Sequence, residues 1–162
     1  MRIKPWSELP QCLQTEAVRP YHEILRKKNG SLAFKRILDL LLAVLLLVVL
    51  SPIMGIVALS IVLESPGGVF FRQVRITTNG KPFRIFKFRT MVSGADKLGA
   101  QITGHNDMRI TRVGRLIRRL RMDEVPQLLN ILTGDMTFVG TRPEVPRYVD
   151  AYSDEMMATL LL

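Results

Sequence analysis

The sequence predicts an α-rich α/β fold with short strands: a membrane-associated single domain, not a doubly wound sheet. Three observations predict it. An apolar stretch over 40–63 contains no charged residue, two short aromatic and basic pieces flank Asn79-Gly80, and helical periodicity follows over 111–121.

The stretch 40–63 reads LLLAVLLLVVLSPIMGIVALSIVL, with Lys35, Arg36 and Asp39 just before it and Glu64 closing it. A charge-free run longer than about 18 residues is long enough, as a helix, to cross a hydrocarbon core. The bland alternative is a buried core helix, but such helices seldom lack a polar face over this length. Ser51-Pro52 lies near the middle, followed by Gly55. Proline removes one backbone hydrogen bond and clashes with the preceding turn, so a bend is expected there. The Ser51 hydroxyl is placed to satisfy the freed backbone groups, which have no water to turn to in lipid. Two forms fit: a kinked helix that still crosses, and a re-entrant hairpin that enters and leaves by one face. Eight Lys and Arg precede the stretch and fifteen follow it. Basic flanks are normally retained in the cytoplasm, which favours re-entry with both ends on that side.

Composition bounds the remainder. The 162 residues divide into an arm (1–30), a membrane element (31–64) and one small domain (65–162). The net charge of +9 would suit nucleic acid. Beside an apolar anchor, however, anionic membrane lipids or phosphate-bearing substrates are the simpler explanation. The single Cys12 excludes an internal disulfide framework and reads as an incidental thiol. The apolar run starts too late, and is too long, for a cleaved signal peptide.

Taken in order, the arm is punctuated by Pro5, Pro10 and Pro20, and Asn29-Gly30 reads as a turn. Trp6 and Tyr21 suit either the lipid interface or packing on the domain, and no chemistry is evident here. Ser31 is a plausible N-cap for the membrane helix. Ser65-Pro66-Gly67-Gly68 breaks the chain, and strand-like pieces over 69–75 and 83–89 then flank a hairpin signal at Asn79-Gly80. Their Arg72, Arg75, Arg84, Lys87 and Arg89 make either a solvated basic ribbon or a cationic ledge for phosphate. Residues 91–107 read as a loop with one helical turn, and His105 as an ordinary surface histidine. Over 111–121, Val113, Leu116, Ile117 and Leu120 follow the i, i+3, i+4, i+7 pattern opposite a row of arginines. Basic amphipathic helices of this kind lie on membranes or, alternatively, contact nucleic acid.

Asp123-Glu124 precedes a helix opened by Pro126 and stopped by Gly134. Acids at that position complement the helix dipole, and capping is their commoner use. A paired carboxylate beside an arginine-rich helix also suits chemistry, one group coordinating Mg²⁺ while another attacks phosphorus. Arg142, before Pro143 and near Pro146, is either a surface corner or a guanidinium held ready for bidentate phosphate contact.

Five segments then stand in the order and spacing of one family: Lys87-Phe88-Arg89-Thr90-Met91, Arg112-Val113-Gly114-Arg115, the run from Asp123-Glu124 to Asn130, Gly134-Asp135-Met136, and Val139-Gly140-Thr141-Arg142-Pro143-Glu144. Together, over roughly 31–150, they resemble the bacterial sugar transferases, the monotopic phosphoglycosyl transferases that act on a polyprenol phosphate carrier. The resemblance implies a re-entrant anchor broken at Ser51-Pro52, in the bacterial cytoplasmic membrane with the domain on the cytoplasmic face. It implies Asp123 as the nucleophile on a UDP-sugar, releasing UMP and holding a phosphosugar that passes to polyprenol phosphate to start glycan synthesis. Glu124 would complete the acidic dyad, with Mg²⁺ as cofactor on the two acids, and Arg142, Lys87 and Arg89 would bind phosphate.

Two departures are visible. Thr141 stands where the family usually has a proline. Relatives generally continue some tens of residues past Leu162, so the stretch 150–157 reads as a helix whose packing partner is missing and the C-terminus as incomplete. A non-catalytic membrane-anchored module is the competing reading. A nucleic-acid binder ranks last, for want of a base-reading motif, and no nucleic acid partner is expected.

Overall fold

The computed structural model describes residues 2–95 and 107–162. Its helices are α1 (Arg19–Lys27), α2 (Asn29–Glu64), α3 (Arg112–Arg119), α4 (Leu128–Thr133) and α5 (Pro146–Val149). One antiparallel hairpin, β1 (Phe70–Thr77) and β2 (Lys81–Phe88), is the sheet of the described residues. The helix-rich α/β character is the expected one, with a short two-stranded sheet and one long apolar helix near the N-terminus. His105, Gly99 and Gly104, and most of the loop expected over 91–107, lie outside the described residues.

The helix α2 runs unbroken for 36 residues with Pro52 inside it. The bond that Pro52 cannot make is to the carbonyl four residues back, that of Val48. The Ser51 hydroxyl donates to that same carbonyl at 2.8 Å, so the orphaned acceptor is satisfied locally. By length and composition the helix could cross a membrane, and only 11% of its most apolar window is buried. A single stripe faces the domain: Ala43 packs with Leu128 and Ile131 of α4, and Val57 and Ile61 pack with Phe88 and Ile117. These contacts fall on both sides of Pro52. Asn29-Gly30 is not the turn expected from its composition; the break falls at Lys28, and Asn29 opens the helix while its Oδ1 accepts from the Ile3 amide at 2.8 Å.

The hairpin pairs Phe70 with Phe88 through to Thr77 with Lys81. The three-residue connection turns on Asn79 and Gly80, at φ +59° and +71°, in the left-handed region such residues tolerate. Helix α3 begins where expected: the Thr111 side chain accepts from the Gly114 amide at 2.9 Å. The Glu64 carboxylate, from the end of α2, accepts from the amides of Arg112 (2.7 Å) and Val113 (3.0 Å), tying α2 to α3. Gly114 is required by close packing, because a Cβ there would lie 2.1 Å from the Thr90 carbonyl oxygen. Of the four periodic apolar residues, Ile117 is buried and Val113 half-buried, whereas Leu116 and Leu120 remain exposed.

The stretch 150–157, expected as a helix without a partner, is instead turns and the start of a 3₁₀ segment, and its Tyr152 and Met157 pack on a core. A 3₁₀ segment, Met156–Leu161, buries Leu160 and Leu161 against Leu9, Leu13 and Val18, with Val149 of α5 completing the cluster. Trp6 and Leu25 flank it, and the Tyr21 hydroxyl donates to Glu155 Oε1 at 2.8 Å. The residues that read as an arm therefore form half of a core, and Trp6 packs edge-on against the buried His22 inside the protein.

Candidate active site

After α3 the chain must reverse, and it does so at Arg121, a non-glycine residue at φ +58°. The 3₁₀ turn Met122–Gln127 follows and carries Asp123 and Glu124 in its first turn, with the buried Pro126 leading into α4. The acids thus sit at a helical N-terminus, as their setting implied. Gly134, at φ +91°, stops α4.

What brings β2 to these acids is Asn130, almost wholly buried. Its Oδ1 accepts from the Phe86 amide (2.8 Å) and its Nδ2 donates to the Arg84 carbonyl (3.1 Å). The side-chain amide thus completes the outer edge of β2 as a neighbouring strand would, and Lys87, the next residue, is set beside the turn. Lys87 Nζ donates to Glu124 Oε1 at 2.8 Å. Arg142 Nη2 lies 3.7 Å from the same oxygen. Among the described residues no side chain pairs with Asp123 or with Glu124 Oε2. Glu124, Lys87 and Arg142 line a cavity of about 180 Å³ with Arg75, Gln127 and Phe138. Asp123 is not among its lining residues.

The two carboxyls are driven apart electrostatically. Burial pushes Asp123 up from its ordinary value, opposed by Lys87 and reinforced by the Glu124 charge. Burial also raises Glu124, but the Lys87 hydrogen bond and charge, with Arg142 and Arg121, outweigh it and hold that carboxyl below its ordinary value. Environments that separate paired carboxyls in this way are characteristic of acid–base and nucleophilic sites. Burial thus favours the protonated form of Asp123, and Lys87 the ionised form of Glu124.

Lys87, Arg142 and the dyad are therefore brought together. Arg89 is not with them: its buried guanidinium donates to the carbonyls of Ser65 (2.6 Å) and Pro66 (2.8 Å), bracing the break after α2. A basic residue on a strand end looks alike in sequence whether it meets a ligand or a carbonyl. Ser51 and Pro52 lie in α2, away from the pocket's lining. One residue that sequence reasoning did not single out matters here: Asn130 holds the edge of β2, and its place in the motif ending at 130 was the available signal. Arg75, read as part of the basic ribbon, supports the Arg142 turn, donating to the Pro143 carbonyl at 3.1 Å and lying 3.6 Å from Glu144. Among the described residues no cluster of three or more potential metal ligands occurs. The donor set is two adjacent carboxylates, which suits a Mg²⁺ that completes its shell with water and substrate phosphates.

Comparison with known proteins follows the same residues. The UDP-N-acetylgalactosamine-undecaprenyl-phosphate N-acetylgalactosaminephosphotransferase of Aeromonas hydrophila is 47% identical over 122 residues, 75% of this chain and 29% of that protein. The UDP-glucose:undecaprenyl-phosphate glucose-1-phosphate transferase of Escherichia coli is 45% identical over 119 residues, 73% of this chain and 25% of its own length. The protein of the same description in Caulobacter vibrioides is 46% identical over 119 residues, 74% of this chain and 45% of the relative. The chain thus spans less than half the length of each of these three. The model of the family described as bacterial sugar transferase matches residues 30–160. The match takes in α2, the hairpin, the dyad and the Arg142 turn, and the chain belongs to the bacterial sugar transferase family.

Proposed function

We propose that this protein transfers a sugar 1-phosphate from a UDP-sugar to membrane polyprenol phosphate, initiating polysaccharide or glycoconjugate synthesis. The observation that carries the reading is the convergence of Lys87 and Arg142 on one oxygen of a carboxylate pair whose proton affinities are split. In the first step an Asp123 oxygen bonds to the β-phosphorus of the donor. The bond from that phosphorus to the bridging oxygen breaks, and UMP leaves with the electron pair. In the second step an oxygen of polyprenol phosphate bonds to the same phosphorus, and Asp123 departs as a free carboxylate. A covalent carboxylate intermediate lets two bulky anions use one site in turn.

Lys87 holds Glu124 charged and oriented, and Arg142 offers a planar guanidinium to the diphosphate. Asp123 and Glu124 Oε2 are the groups that would hold Mg²⁺, which when bound supplies positive charge beside the phosphates. The donor sugars named by the relatives, N-acetylgalactosamine and glucose, make a UDP-linked hexose or N-acetylhexosamine the first candidates to test.

The lipid acceptor explains the anchor. Its exposed apolar face suits acyl chains, and domain contacts on both sides of Pro52 support a helix seated from one face, which we assign to the cytoplasmic side. Exposed Leu116 and Leu120, among the arginines of α3, support contact with anionic headgroups.

The test is UMP release by the membrane fraction from a panel of UDP-sugars, with Mg²⁺ and polyprenol phosphate. Release is expected from at least one donor and is expected to fall by about a thousandfold or more in Asp123→Asn. Undiminished release by that variant would remove Asp123 from the nucleophile's role.

A further inference from the structure

The turn that presents Arg142 is pinned at two points. On one side β1 holds it: Arg75 Nη1 donates to the Pro143 carbonyl at 3.1 Å, and the Ile76 amide donates to the Glu144 carbonyl at 2.8 Å. On the other side Thr141 ties the turn to the segment 159–162, while the Thr137 hydroxyl donates to the Val139 carbonyl at 2.9 Å within the turn itself. The Thr141 hydroxyl donates to the Thr159 carbonyl at 3.0 Å and lies 3.2 Å from the backbone oxygen of Leu162. Those acceptors belong to the segment whose Leu160 and Leu161 are buried against Leu9, Leu13 and Val18. They are thus fixed by a packed core rather than carried on a free end. Arg142, between the two pins, has a side chain 72% exposed and relies on its backbone for placement.

We propose that Thr141 is a positioning residue for Arg142, transmitting the order of the core formed by the two ends of the chain to the donor-binding side of the site. The inference rests on the reading that Arg142 meets the donor diphosphate. An isosteric change tests it, because valine keeps the shape of threonine and removes only the hydroxyl.

In the full chain, reconstituted in lipid nanodiscs, Thr141→Val is expected to speed amide hydrogen exchange in the peptide spanning 137–142 and leave β1 and β2 unchanged. It is expected to raise the KM for the UDP-sugar about fivefold, the worth of one net hydrogen bond, with kcat retained. Thr141→Ser, which keeps the hydroxyl, is expected to match the wild type in both readouts. Unchanged exchange in Thr141→Val, a KM equal to that of the wild type, or equal impairment in the serine variant would each overturn the assignment. A wild type that releases no UMP would sink the donor-binding reading instead, and the exchange data would still decide whether Thr141 orders the turn.

Discussion

Lys87 and Arg142 approach the same oxygen of Glu124, yet they are held in opposite ways. Lys87 stands at 2.8 Å with a side chain 20% exposed, on a strand whose outer edge is completed by a buried asparagine. Arg142 stands at 3.7 Å with a side chain 72% exposed, on a turn steadied by hydrogen bonds at its two shoulders. The first side is preorganised and keeps the dyad's charges split before any ligand arrives. The second has room to move onto a ligand. On the reaction we propose, a site that takes a nucleotide sugar and then a lipid phosphate would benefit from one wall of each kind, since only the adaptable wall has to be rebuilt between the two steps.

The contrast can be broken most forcefully at Asn130. Asn130→Ala leaves the Phe86 amide and the Arg84 carbonyl without their partner, at roughly 1–3 kcal/mol for each group left unsatisfied. The expected outcome is a large drop in Tm, with activity lost in step, read by thermal unfolding in detergent. Full stability in this variant would show that the β2 edge is not held as described. Arg142→Ala should act on the other wall alone. The donor KM is expected to rise about tenfold with Tm unchanged, and Arg142→Lys should recover only part of the loss, because an ammonium cannot make the bidentate contact. A fall in Tm comparable to that of Asn130→Ala would erase the distinction between the walls.

The smallest effect sharpens the comparison at the dyad itself. Burial raises the Asp123 carboxyl, so folding favours its protonated form. The corresponding stability is present below the unfolded-state value and is lost as pH rises through the folded-state value. Near neutral pH the ionised Asp123 is therefore a net cost to the fold. Asp123→Asn is expected to melt slightly above the wild type at pH 7, and the gap should narrow in acid. Equal or lower Tm at pH 7 would mean that burial does not govern this carboxyl.

Much of this arrangement was legible in the sequence because it is local. The uncharged run gave α2, Asn79-Gly80 marked the hairpin, and the period of Val113 and Ile117 marked the buried side of α3. Gly134 marked the end of α4. Lys87 and Arg142, which the resemblance named for phosphate binding, stand 2.8 Å and 3.7 Å from Glu124 Oε1. What was not legible depends on partners far away in the chain. Leu9 and Leu13 look like scattered apolar residues between prolines, and nothing near them signals Leu160 and Leu161. Arg89 and Lys87 are two positions apart with the same charge, and only the nearby carbonyls of Ser65 and Pro66 separate their roles. Lys28, rather than Asn29-Gly30, makes the break, and the Asn29 side chain accepts from the distant Ile3 amide.

The stripe on α2 has a consequence for how such a protein is made and handled. Ala43, Val57 and Ile61 complete two of the three apolar clusters, one with α4 and one with β2 and α3. The anchor leaves the ribosome before the residues that pack on it, so the helix is the template on which the rest of the chain is assembled. Deleting 29–64 to obtain a water-soluble protein would remove part of the interior rather than a tether. Detergents and lipids that solvate this helix act on the fold of the domain packed against it.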